Sequence, residues 1–331
     1  MRLRTLLSVA ALAASSSAAL ASTLTPGQVS QIVTFGDSLS DAGNASIATF
    51  GLFPGPGYAT RSVPVPPFTA GYYTNPQSGS GPAGLWIDQF AAKVGVTDPA
   101  PALAGGTNFA VGSAMTGSAN LQDMQNQVAL FLAANLGSAS SSSLYTFWGG
   151  ANDIFNAQNP VTAAANIAAE IQQLAAAGGQ NFLWLNLPSL GQIPELSSNP
   201  LTLAAANAAS TAFDQAWAAQ VSNLDSLGIN VIGVDVNTLF TQITANPALY
   251  GFTDVTHACL VTAGCDPNTF LYWDGEHPTT YADSLVASLA YGDAFGSPVA
   301  PTPEPPTIML VAAAAFGLLI LSRSRAQRAR P

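Results

Sequence analysis

Gln31-Ile32-Val33-Thr34-Phe35-Gly36-Asp37-Ser38-Leu39-Ser40-Asp41 is a short apolar run that stops in a glycine and then turns polar. Such a run has the character of a buried parallel strand, apolar on both faces and ended by a turn. The same pattern recurs along the chain. Leu144 to Trp148 ends at Gly149-Gly150, Phe182 to Leu187 ends at Pro188, and Asn230 to Val236 ends at Asn237. Helical spacing fills the gaps: Leu203, Ala206, Ala209, Phe213, Trp217, Val221, Leu224 and Leu227 recur every three or four residues before Gly228. Ile167, Ile171 and Leu174 do so ahead of Gly178-Gly179. Strand and helix in alternation predict an α/β domain with a mostly parallel sheet. In such sheets ligands gather at the carboxyl ends of the strands, where Asp37 and Ser38 stand.

Phe50 to Gly84 breaks the pattern, with proline, glycine and aromatic residues and no period. It is too long for a plain connector and is expected to be an ordered loop over the sheet edge. Thr97 to Gly106 and Ser138 to Ser143 are expected to be surface turns. The composition, 48% apolar with 16 Phe and 5 Trp in 331 residues, supports a sizeable core and excludes a disordered chain.

The net charge of −10 averages unlike parts. Six of the eight basic residues sit at the two ends; from Ser22 to Pro303 only Arg61 and Lys93 stand against 17 acids, a net charge of −15. That body would repel nucleic acid and anionic lipid headgroups. Met1 to Ala21 joins two arginines, an apolar run and Ala19-Leu20-Ala21, the plan of a secretory signal cut before Ser22. Export permits a disulfide between Cys259 and Cys265, whereas two thiols with only His257 nearby offer too few ligands for a metal. At the other end Pro303-Glu304-Pro305 precedes an apolar stretch, Ile308 to Leu321, and four arginines. Fourteen residues are short against the about 20 of an ordinary span. The order of parts resembles the PEP-CTERM sorting tail of exported bacterial proteins, which implies a membrane-held C-terminus processed by an exosortase-type enzyme; an ordinary tail anchor is the alternative. Residues 1–21, 22–300 and 301–331 are accordingly expected to be signal, catalytic domain and tail, with the body at the cell surface, in the periplasm or in the extracellular matrix.

Ser38 follows the first strand directly, where its hydroxyl is held at the strand end; a serine there also suits a helix cap. A nucleophilic hydroxyl needs a base, and the chain has two histidines. His277 lies in Asp274-Gly275-Glu276-His277-Pro278, three residues after a carboxylate that can orient its ring and stabilise the imidazolium, or cap the helix expected from Thr279 to Leu289. His257 is expected to be a surface or loop histidine beside the cysteines, without such a partner. Asn152, in Gly150-Ala151-Asn152-Asp153 after the second strand, can aim an amide donor at a developing oxyanion or start a turn. Gly112, in Asn108-Phe109-Ala110-Val111-Gly112-Ser113, offers a backbone N–H open to close approach, or a plain turn.

Together these segments resemble the GDSL, or SGNH, family of serine esterases and lipases. The match runs through Gly36-Asp37-Ser38-Leu39 and Asp41-x-Gly43-Asn44, Asn108-Phe109-Ala110-x-Gly112, Gly150-x-Asn152-Asp153 and Asp274-x-x-His277-Pro278, from about Ile32 to Leu289. The resemblance implies a three-layer α/β/α sandwich of flavodoxin-like type. It also implies Ser38 as nucleophile, His277 as base and Asp274 as its orienting acid. The oxyanion hole would comprise the N–H groups of Ser38 and Gly112 and the Asn152 amide, and neither metal nor cofactor is required. The partner would be a small-molecule or lipid ester. Many relatives carry an arginine in a Gly-Arg-x-Ser-Asn-Gly stretch; here Gly71-Tyr72-Tyr73-Thr74-Asn75 stands in its place, which points to an apolar approach to the serine. An acyltransferase or polysaccharide deacylase on the same residues, and a non-catalytic adhesion module, are the rival readings.

Overall fold

The computed structural model describes residues 24–296, so the expected signal and sorting tail lie outside the described residues. In chain order the elements are β1 (Gln31–Gly36), α1 (Asn44–Ala48), β2 (Ala59–Ser62), β3 (Thr69–Tyr72), α2 (Trp86–Val94), α3 (Met124–Ala134), β4 (Ser143–Trp148), α4 (Ala151–Phe155), α5 (Pro160–Ala176), β5 (Asn181–Leu185), α6 (Pro194–Ser197), α7 (Pro200–Ser226), β6 (Asn230–Val234), α8 (Val236–Ala245), β7 (Asp254–Ala258), β8 (Phe270–Tyr272) and α9 (Thr280–Phe295). β1, β4, β5 and β6 form one parallel sheet in that order. The segment around Asn108 lies parallel along the free edge of β1. Thr34 N–H donates to Thr107 O, Phe109 N–H to Thr34 O and Val111 N–H to Gly36 O. Counting it as a rudimentary strand gives the flavodoxin-like order 2-1-3-4-5 and brings Gly112 to the same end of the sheet as Ser38.

The sheet is buried on both faces because its strands are apolar on both. Phe35, Phe131 of α3, Tyr145 and Phe147 interlock on one face, with ring centroids 5.2–5.8 Å apart. On the other face Trp148 meets Trp86 of α2 edge-on at 5.7 Å, and Phe90 stacks on Phe295 of α9. Thus α2 and α9 cover one side and α3, α5 and α7 the other, a helix–sheet–helix sandwich. Helix starts follow local chemistry. Asn159 and Asn199 cap α5 and α7 ahead of a proline at the first turn. Gly228, at φ 78°, ends the turn after α7.

Strand ends differ from expectation where a side chain recruits the backbone. β6 stops at Val234, two residues before the expected Val236, because Asp235 accepts from Thr238 N–H and caps α8. β5 stops at Leu185, two residues before the expected Leu187: the Asn186 amide donates to Asp235 and its oxygen accepts from Asn237 N–H. Asp274 does not cap α9; Thr279 does, accepting from Ala282 N–H. The span from Phe50 to Gly84 is ordered but not wholly irregular, since β2 and β3 pair in it as an antiparallel hairpin. Among the described residues no helix is long and apolar enough to cross a membrane.

Candidate active site

Ser38 stands one turn past β1, and the tightness of that turn depends on Gly36. A Cβ there would collide with the Trp148 carbonyl of the neighbouring strand. Gly150 plays the matching part after β4, at φ 110° with the Phe213 ring against its Cα. Both strands can therefore release their chains sharply at the sheet end. Asn152 sits in the first turn of α4 and lines one small cavity with Ser38 and His277.

His277 arrives from the far end of the chain on the loop between β8 and α9. Its Nε2 lies 2.8 Å from Ser38 Oγ and its Nδ1 2.8 Å from Asp274 Oδ2. An ionised carboxylate only accepts, so Nδ1 carries the proton and Nε2 is free to accept from the serine hydroxyl. Asp274 is held by its own turn: Oδ1 accepts the N–H groups of Glu276 and His277. Tyr58 Oη donates to Oδ2 at 2.6 Å. Burial pushes the Asp274 carboxyl up, but the bond and charge of His277, with the Tyr58 hydroxyl, outweigh it and leave the group well below the usual carboxylate range. Burial pulls the His277 imidazole down, and the hydrogen bond and charge of Asp274, then the charges of Glu276 and Asp37, leave it raised above 6.5. The Tyr73 ring packs on the imidazole with centroids 5.0 Å apart.

Asn152 and Gly112 are placed differently. Asn152 Nδ2 donates to Ala114 O at 3.1 Å and, more weakly, towards Asp37 Oδ2 at 3.4 Å, within the cavity that holds Ser38. Among the described residues the Ser38 N–H has no acceptor. The N–H of Gly112 departs from expectation. It donates to Asp41 Oδ2 at 2.8 Å, and the glycine lines a neighbouring groove rather than the Ser38 cavity. The reason is Asp41, a fully buried carboxylate satisfied by four N–H groups, those of Gly43, Asn44, Ala45 and Gly112. Burial lifts it to about 6 despite those donors.

His257 is not without a partner. Asp254 stands three residues before it, with Oδ2 2.8 Å from Nδ1, but the pair lies on β7 with 71% of the histidine side chain exposed. Cys259 and Cys265 form a disulfide with Cα atoms 5.5 Å apart. No cluster of metal-ligating side chains occurs among the described residues. Arg61 of β2 pairs with Asp88 at 2.9 Å and Asp98 at 3.1 Å, 5.2 Å from the Tyr72 ring centroid, and is committed to the scaffold. Tyr58 and Asp37, which the sequence left without a role, adjoin the Ser38–His277–Asp274 cluster, as does Tyr73, whose ring was expected near the serine. Tyr58 and Tyr73 come from the hairpin region, and no local signal links either to a histidine some 200 positions away. Asp37 was in the motif, but only the fold shows it buried beneath the site, where desolvation lifts its carboxyl to about 7.

The sequence pattern of the GDSL-like Lipase/Acylhydrolase family matches residues 32–290. The chain belongs to this family. Esterase EstA of Pseudomonas aeruginosa is 29% identical over 345 residues, covering 88% of this chain and 50% of its own length. The thermolabile hemolysin of Vibrio parahaemolyticus is 25% identical over 285 residues, covering 79% and 63%. Among solved structures, the native aryl esterase of M. smegmatis aligns with a TM-score of 0.42 at 15% identity, over 79% of this chain and 97% of that one. The chain spans about half the length of several curated relatives that it matches, as with EstA at 50%. The matched span of this GDSL-family chain reaches from β1, which Ser38 follows, to α9, which His277 precedes.

Proposed function

We propose that this chain is an exported hydrolase of carboxylic esters working through an acyl-enzyme. The observation that carries the reading is the unbroken relay Ser38 Oγ–His277 Nε2 and His277 Nδ1–Asp274 Oδ2, 2.8 Å at each step. Ser38 Oγ attacks the ester carbonyl while its proton passes to Nε2, and Asp274 stabilises the imidazolium so formed. The carbonyl oxygen takes the negative charge, facing the Ser38 N–H and the Asn152 amide. Collapse expels the alcohol, which takes the proton from Nε2. Water then gives its proton to Nε2, attacks the acyl carbon, and releases the acid and the serine hydroxyl. Gly112 would join the oxyanion hole only after its N–H turns from Asp41.

Transfer to another hydroxyl uses the same residues and differs only in the acceptor; one family relative, from Aeromonas hydrophila, is named a phosphatidylcholine-sterol acyltransferase. The export segment Met1 to Ala21 and the apolar, arginine-ended tail support a working place outside the cytoplasm, held at the membrane or released by an exosortase-type enzyme. The test is p-nitrophenyl ester hydrolysis by wild type and Ser38→Ala, with fluorophosphonate labelling read by mass on the Ser38 peptide. Label on that peptide and loss of turnover in the variant are expected. Turnover retained by Ser38→Ala overturns the reading, and glycerol ester among the products would assign transfer.

A further inference from the structure

Two larger hollows lie near the Ser38 cavity of about 30 Å³, one sharing its wall and the other separated from it by Tyr73, which packs on His277, and their chemistry differs. One, of about 640 Å³, meets the cavity at Asn152 and Glu276 and carries the carboxyls of Glu195 and Glu276. The other, of about 770 Å³, begins at Tyr73, Gly112 and Ser113 and runs between α1 and α3 past Ala48, Leu103 and Leu130. Neither Asp, Glu, Lys nor Arg lines it, and none occurs in the stretches 42–60, 99–122 and 124–152 that build it. Its mouth keeps large apolar side chains in water, with Phe53, Leu103, Leu121 and Leu130 each more than half exposed. Tyr73 joins groove and chemistry: its ring packs on His277, and its hydroxyl fills the space a side chain at Gly112 would need.

We infer that the charge-free groove between α1 and α3 holds the long apolar acyl chain of a neutral ester, with the alcohol leaving through the carboxyl-bearing hollow. The inference rests on the ester-hydrolase reading above. In each turnover an alcohol departs and water enters, so that path suits polar, hydrated walls. The acyl chain stays through both half-reactions and gains from walls that need no solvation. Each methylene moved from water to such a wall is worth roughly a fourfold gain in kcat/KM. The acidic body, with net charge −15 from residue 22 to 303, further favours an uncharged chain-bearing substrate over an anionic one.

The experiment compares kcat/KM for p-nitrophenyl acetate and p-nitrophenyl decanoate. Acetate has no chain to place and reports the triad alone. Wild type is expected to favour decanoate by at least about tenfold. Ala48→Trp, which fills the groove from an exposed helical position, and Leu130→Glu, which charges its wall, should each cut that preference by about tenfold with acetate rates kept. Ala205→Trp, which fills the carboxyl-bearing hollow, should leave the preference in place. An unchanged preference in both groove variants, or its loss in Ala205→Trp instead, overturns the assignment. Acetate hydrolysis that survives Ser38→Ala, or no hydrolysis of any ester, sinks the underlying reading and is told apart from a failed groove by the acetate arm alone.

Discussion

The chain contains two Asp-x-x-His turns built alike. In Asp254-Val255-Thr256-His257 and in Asp274-Gly275-Glu276-His277 the aspartate Oδ1 accepts the N–H groups two and three residues on, and Oδ2 sits 2.8 Å from Nδ1. Local geometry therefore does not distinguish them. Surroundings do: the His257 side chain is 71% exposed and that of His277 only 10%. In water a carboxylate–imidazole pair exchanges one solvation for another and is worth little, whereas removal from water strengthens the interaction. His277 also has a hydroxyl on its far nitrogen, an aromatic ring on its face and a tyrosine on its aspartate. An Asp-x-x-His turn is thus a local device used twice in this chain, and the fold sets one copy apart by burying it against Ser38.

The sharpest way to break this comparison is to cut both histidines. His277→Ala should lower kcat by about 10⁴-fold or more, and His257→Ala should leave it within about twofold. Equal losses would show that the exposed pair takes part in chemistry. Asp274→Asn, which keeps the shape but not the charge, should cost about 10³–10⁴ in kcat. Its counterpart Asp254→Asn should change only stability, by less than about 1 kcal/mol in chemical denaturation, since the pair is exposed. A step further from the imidazole, Asn152→Ala should cost about 10²–10³ in kcat if its amide faces the oxyanion; a small loss would leave the Ser38 N–H as the main donor.

How far the sequence alone reveals this contrast depends on what each feature leaves in the chain. The sheet strands are legible because burial on both faces demands continuous apolar runs, and glycines must follow where the chains turn. That Ser38, Asn152 and the Asp274–His277 pair come together at one end of the sheet is legible because their motifs are local. The hairpin of β2 and β3 is not, because four-residue strands such as Ala59-Thr60-Arg61-Ser62 carry no alternation against a proline-rich background. For His257 the exposed position agrees with expectation, while the Asp254 partner at the same spacing does not. Gly112 failed in a different way: its motif placed it at the right end of the sheet, but whether its N–H is free depends on Asp41, whose burial only the fold decides.

Tyr58 offers the finest discrimination, because the exposed Asp254 takes its hydroxyl donor, Thr256, on the oxygen away from its histidine. The Tyr58 hydroxyl donates to the same Asp274 oxygen that His277 Nδ1 uses. The two donors compete for that oxygen, so the tyrosine keeps the carboxylate from putting its full basicity into the imidazole. The groups facing His277 are Asp274, Glu276, Asp37, Tyr73 and, through Asp274, Tyr58, and the acids among them hold its pKa above 6.5. A base must be neutral to accept the serine proton, so kcat/KM should climb as pH rises through that raised value. Tyr58→Phe frees the oxygen, raises the aspartate's basicity and stabilises the imidazolium further. The ascending limb should therefore move to higher pH, modestly, as the loss of one competing hydrogen bond requires. Activity on the plateau should fall only a few-fold, because the nucleophile and base remain. A limb that moves to lower pH would mean that the tyrosine serves mainly to exclude water from Asp274, since hydration would then weaken the carboxylate's hold on the imidazolium. In that case burial, rather than this extra donor, sets the whole difference between the two turns.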